Sequence, residues 1–223
     1  MKNIKKLLIF LLVCLLPFPA CLGEGLQWRQ DGSISLDQHV IQTQLQNVYE
    51  ALAVNDGIFL AGYKIDKAGA NYPCIAFVDK KLDEPHYWPQ SIDPKQFFEF
   101  DHRVHLLNVE GKVFVFAKEA WQPAAFSLKP NSMVVHSSEF LVACRPAPLM
   151  MTDNELGCCY SPQKQWQVEV NWRSVKPAVC DGMLTVVDER GPKRLAHQID
   201  MKSGKIVKSK QLTAPVEDAC QAF

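Results

Sequence analysis

Apolar and polar positions alternate along this chain at the spacing of strands rather than of helices. The pattern is plainest from Val48 to Asp79, VYEALAVNDGIFLAGYKIDKAGANYPCIAFVD. Tyr49, Leu52 and Val54 run up to Asn55-Asp56-Gly57, and Ile58-Phe59-Leu60 runs away from it. Two apolar runs flanking Asn-Asp-Gly predict a hairpin, with Asn and Gly supplying the positive φ of a tight turn. A second polar link, Asp66 to Asn71, leads into a third strand at Cys74 to Val78. β-branched and aromatic residues dominate, and no apolar face repeats at helical spacing.

Looser versions of this unit recur. Leu26 to Leu36 predicts a short hairpin around Asp31-Gly32, and the polar stretch Asp37 to Gln46 is expected to be a short helix or a linker. Further strand pairs flank Glu110-Gly111, His136 to Glu139, and Asp181-Gly182; Trp166 to Trp172 alternates as a half-buried strand should. The tight turns therefore fall near 57, 111, 138 and 182. Degenerate four-stranded units of about 40–45 residues point to an all-β fold of antiparallel meanders. A small β-propeller-like architecture is favoured over a β-sandwich, with Trp28 to Leu36 as a candidate ring-closing strand. Asp83 to Lys95, DEPHYWPQSIDPK, carries three prolines and is expected to be a long loop. Loops of that length often carry function, which makes its His86, Tyr87 and Trp88 candidate partner-binding residues. Pro146 to Glu155 is a second irregular loop of the same kind.

The N-terminus changes the picture of where the protein works. Lys2, Lys5 and Lys6 precede an apolar run, Leu7 to Leu16, too short to span a bilayer, as in an export leader. Pro17-Phe18-Pro19-Ala20-Cys21 follows, and a small residue directly before Cys21 resembles the lipobox of bacterial lipoproteins. The expectation is cleavage after residue 20, lipidation of Cys21, and a periplasmic protein held at the outer membrane by that lipid alone. Domain expectations follow: 1–20 signal peptide, 21–47 anchor segment and short hairpin, 48–223 one all-β domain. Without its leader the chain has 203 residues, 21 basic and 24 acidic side chains, and no basic run. Nucleic acid is a poor partner for such a surface.

Six cysteines remain beyond Cys14 and Cys21: Cys74, Cys144, Cys158, Cys159, Cys180 and Cys220. An even number in an exported chain predicts a disulfide-stapled fold, with fifteen possible pairings. A Cys180–Cys220 bridge would tie down the C-terminal tail, and Cys144 with Cys158 or Cys159 would close the loop between them.

No motif for a nucleophile, a metal or a phosphate is present, and no cofactor or metal site is expected. His102 and His105 lie three apart, on opposite faces of an extended strand, which disfavours a shared metal. The leader ending at Cys21, the cysteine-rich β body, and the opening Tyr49…Gly62-Tyr63…Cys74…Val78-Asp79 resemble the immunity lipoproteins that protect bacteria from type VI secretion lipase effectors. That resemblance implies a non-enzymatic inhibitor that binds a secreted toxin and occludes its active site. The alternative is an envelope assembly or scaffold lipoprotein; the third possibility is an enzyme with an unrecognised site.

Overall fold

The computed structural model describes residues 20–22, 26–36, 39–81, 83–90, 93–148, 156–190 and 193–223. The expected signal peptide (1–20) lies almost wholly outside them, and so does 149–155 of the second loop. The described chain contains twenty β-strands in five antiparallel sheets, each built from four consecutive strands in order. The fold is all-β and propeller-like. It divides into two compact units, 1–91 and 92–223.

The first unit carries two sheets. β1 (Ala20–Leu22), β2 (Leu26–Trp28), β3 (Ser33–Leu36) and β4 (His39–Gln42) form one. β5 (Gln46–Val54), β6 (Gly57–Ile65), β7 (Asn71–Asp79) and β8 (His86–Pro89) form the other. Two stretches, one expected to be a short helix or linker and one a long loop, contain strands. His39–Gln42 pairs with β3, and His86–Pro89 pairs with β7. Both are edge strands, where one face is solvated, so a polar or proline-containing segment can serve. The domain boundary expected between 47 and 48 falls inside this unit, because Val48 packs in one core with Ile34, Leu45, Ile58 and Leu60. Leu26 to Leu36 is likewise a hairpin within its own sheet rather than a lone closing strand.

The Asn55-Asp56 turn forms as expected, between Val54 and Gly57, but no residue in it has positive φ. Gly57 is required for another reason: a Cβ there would lie 2.2 Å from the Val78 carbonyl oxygen. Side-chain caps stabilise several other turns. Asp66 Oδ1 accepts from the N–H groups of Ala68 and Ala70, Asp79 Oδ1 from Lys81 and Asp83, and Asn108 Oδ1 from Glu110 and Lys112.

The second unit carries three sheets. β9 (Pro94–Phe100) to β12 (Ala120–Ser127) form the third, with β10 (Arg103–Asn108) and β11 (Lys112–Ala117) between them. β13 (Met133–His136), β14 (Leu141–Arg145), β15 (Cys158–Ser161) and β16 (Trp166–Glu169) form the fourth. β17 (Ala178–Cys180), β18 (Met183–Asp188), β19 (Leu195–Ile199) and β20 (Ile206–Gln211) form the fifth. The two central strands of the fourth sheet, β14 and β15, are buried on both faces, which explains the unbroken apolar run Leu141 to Cys144. Leu141 and Ala143 face Phe98 and Leu107 of the third sheet. Val142 and Cys144 face Leu184, Val186 and Ile199 of the fifth.

That alternation sorts the cysteines. Cys159 sits opposite Cys144 in the β14–β15 ladder and is bridged to it, on the side of the fifth sheet. Cys158, one residue away, points to the third-sheet side and is a free buried thiol. Cys180 is bridged to Cys220, which fastens the tail through the 3₁₀ turn Ala219–Ala222. Cys74 is also a free buried thiol, in a first-unit core cluster with no second cysteine. Four of the six expected cysteines are therefore paired and two are not, because Cys74 and Cys158 lie in separate cores.

Candidate partner-binding cleft

The candidate aromatic trio lies on β8, in register with β7: His86 opposite Phe77, Tyr87 opposite Ala76, Trp88 opposite Ile75. Strand alternation separates its members. Tyr87 turns toward the core of Ile58, Leu60 and Cys74. Its hydroxyl accepts a hydrogen bond from the Gln44 N–H at 2.9 Å, and Lys64 Nζ sits 4.0 Å from its ring centroid. Burial pushes the Tyr87 hydroxyl above its usual range. On the opposite face the His86 and Trp88 rings are 4.3 Å apart, and Trp88 meets Phe59 at 6.3 Å. Of the three, Tyr87 and Trp88 are half-buried and His86 is exposed. Cys21 lies in β1, paired with Gln27.

The histidines do not converge. His102 is exposed, in the two-residue turn Asp101-His102 with φ values of 51° and 55°. His105 is buried, stacked on Phe98 at 5.1 Å, with Nδ1 3.0 Å from the Arg103 carbonyl oxygen. Burial lowers its pKa below the usual histidine value. Among the described residues no group of three His, Cys, Asp or Glu side chains is placed to hold a metal ion.

A different place in the second unit has the shape of a binding site. A cleft of about 660 Å³ is walled by the start of β9, the β12–β13 connection, and the segment after β14. Lys95, Pro130, Asn131, Arg145, Pro146 and Pro148 contribute to it. In a four-stranded meander, the link between second and third strands and the link leaving the fourth lie at the same end. That topology gathers these segments.

The walls are fixed by hydrogen bonds rather than by packing alone. The Gln96 amide clamps β13, donating from Nε2 to the Val134 carbonyl at 2.8 Å and accepting the Val134 N–H at 2.7 Å. The Tyr160 hydroxyl accepts from the Lys129 N–H at 2.7 Å and shares a bond with Ser132 Oγ at 3.1 Å, holding the Pro130-Asn131 turn from below. Ala147 N–H donates to the Trp172 carbonyl at 3.1 Å. Lys95 is half-buried, makes no ion pair among the described residues, and burial lowers its pKa. Arg145 Nη2 reaches the Leu156 carbonyl at 3.5 Å.

The cleft is not visible in the sequence, although its ingredients are. Pro94-Lys95, Pro130-Asn131 and Arg145-Pro146 each set a polar side chain beside a proline at a strand end. What brings them together is the pairing order of the strands, which no local pattern states. The second expected loop contributes through Pro146 and Pro148; the first contributes Lys95, at its far end from the aromatic trio.

No family model matches the chain, and no curated protein matches it in sequence. Solved structures do resemble it. BamB from Moraxella catarrhalis superposes with a TM-score of 0.52 at 14% identity, covering 86% of this chain and 62% of that one. An oxidoreductase described as a glucose dehydrogenase, from Thermus thermophilus, superposes with a TM-score of 0.54 at 10% identity, covering 85% of this chain and 81% of that one. The likeness establishes a β-propeller-like fold. At these identities it carries the fold alone.

Proposed function

We propose that this chain is an exported, partner-binding protein of the cell envelope, of the assembly or scaffold kind. The observation that carries this reading is the cleft at one end of the second unit: loop-walled, held by side-chain hydrogen bonds, and built on two sheets of which the fourth is stapled by Cys144–Cys159. Protein interfaces need such rigid, preorganised walls, whereas chemistry would need convergent reactive groups. Disulfides fit an oxidising compartment, and the fold shared with BamB is compatible with an envelope-assembly role. Attachment by a lipid on Cys21, and residence at the outer membrane, complete the proposal. They are supported by the leader Lys2 to Ala20 and by the small residue Ala20 directly before Cys21, as in a lipobox.

The test is a capture experiment. The full chain carrying Cys21→Ser is exported, purified with its disulfides formed, immobilised, and exposed to an envelope extract of the source organism. Retention of one or more resident envelope proteins supports the scaffold reading. Retention of a single secreted enzyme, inhibited on binding, favours the immunity reading instead. Retention of nothing defeats both.

A further inference from the structure

We propose that the cleft walled by Lys95, Asn131, Arg145, Pro130, Pro146 and Pro148 takes an acidic, extended segment of a protein partner. The inference deepens the partner-binding reading and rests on it. Three observations lead to it. First, among the described residues that line the cleft none is a carboxylate, while Lys95 and Arg145 both line it. The chain without its leader has more acidic than basic side chains, so two cations in one cleft stand against its overall charge. Second, Lys95 is half-buried with no counter-ion among the described residues. A desolvated, unpaired ammonium costs free energy that an incoming carboxylate would offset. Burial already lowers the pKa of that amine. Third, among the described lining residues the side-chain hydrogen-bond donors are Lys95, Arg145 and the Asn131 amide, and the three prolines add no backbone N–H. A volume near 660 Å³ is in the range of clefts that hold a ligand of many atoms, larger than one inorganic anion needs. A strand-like segment with carboxylates on one side meets these requirements.

The experiment uses the exported chain carrying Cys21→Ser and a fluorescein-labelled peptide alternating glutamate and glycine, acetylated and amidated. The matching glutamine peptide is the control. Fluorescence polarisation should register the glutamate peptide and weaken as salt is raised. Lys95→Glu and Arg145→Glu should each weaken binding by about tenfold, and Lys95→Arg should retain it. Unchanged thermal melting, or the milder Lys95→Gln should a reversal perturb folding, separates lost binding from lost structure. Equal binding of the glutamine peptide overturns the assignment, as does unchanged affinity in both reversal variants. Capture of vesicles containing phosphatidylglycerol, abolished by the same substitutions while the peptide stays unbound, also overturns it and reassigns the cleft to lipid headgroups. The two proposals fail separately. An envelope partner retained equally by the parent and by the double reversal removes the cleft assignment and leaves the scaffold role. Charge-dependent peptide binding with no envelope protein captured leaves the cleft assignment and removes the scaffold role.

Discussion

Opening the Cys180–Cys220 bridge should cost this protein more stability than any single surface change. The bridge spans 40 residues. On the chain-entropy estimate, closing a loop of that length stabilises by roughly 3.9 kcal/mol, against roughly 3.0 kcal/mol for the 15-residue Cys144–Cys159 loop. The tail it fastens is part of the packing: Ala219 is buried against Val175 and Val187, with Leu212 and Val216 beside them, and Lys208 Nζ lies 4.9 Å from the Phe223 ring. The double substitution Cys180→Ser with Cys220→Ser should therefore lower the melting temperature by about 8–16 °C for a chain of this size. The bridges should also differ in reach. Cys220 is exposed, whereas Cys144 and Cys159 are wholly buried. Under native conditions dithiothreitol should open Cys180–Cys220 first, and alkylation followed by mass spectrometry should label Cys180 and Cys220. Cys74, whose thiol burial pushes up to about 11, should stay unlabelled until the chain unfolds. A stability loss below about 1 kcal/mol in the double variant would refute the claim that the tail belongs to the cooperative structure. Labelling of Cys144 before Cys220 would refute the order of access.

Trp88→Ala should destabilise by about 2 kcal/mol, because the ring is half-buried against Phe59 and His86, and should leave partner capture intact; denaturant titration beside the capture assay checks both. Tyr160→Phe should cost about 1–3 kcal/mol by denaturant titration, since it strands the Lys129 N–H and Ser132 hydroxyl beneath the cleft. His105 and His197 are both held below the usual histidine value of 6.5, chiefly by burial. As pH falls through 6.5 the unfolded chain takes up protons that the folded chain resists, so stability should be full above that pH and decline below it. His105→Phe should flatten that decline in a pH series of denaturant midpoints.

The strand content and most turn positions are legible in the sequence because they depend on local chemistry. Asp181-Gly182, with φ values of 51° and 76°, is the tight turn its residues suggest. Other turns of the same conformation are hidden, because Asp101-His102 and Lys118-Glu119 reach positive φ without a glycine. The edge strands β4 and β8 read as linker and loop, since a solvated edge needs neither alternation nor an apolar run. The sequence shows four repeats where there are five sheets for that reason: without β4 the first dissolves. The cleft depends on strand order, and Lys95 and Arg145 come to line it only once the third and fourth sheets stack. The aromatic trio stands out by composition, whereas its division between the two faces of β8 follows from pairing with β7.

The adjacent cysteines of β15 have a consequence for how the chain matures. Forming Cys144–Cys158 instead of Cys144–Cys159 would require β15 to slip by one residue against β14, which turns the strand inside out. The slip would swing Tyr160 away from Lys129 and Ser132 and carry Cys159 to the opposite face. The wrong bridge therefore comes with an unpaired backbone turn and a misplaced phenol. The Cys144–Cys159 bridge therefore locks β15 in a single register against β14, and with it the side of the sheet to which every β15 side chain points.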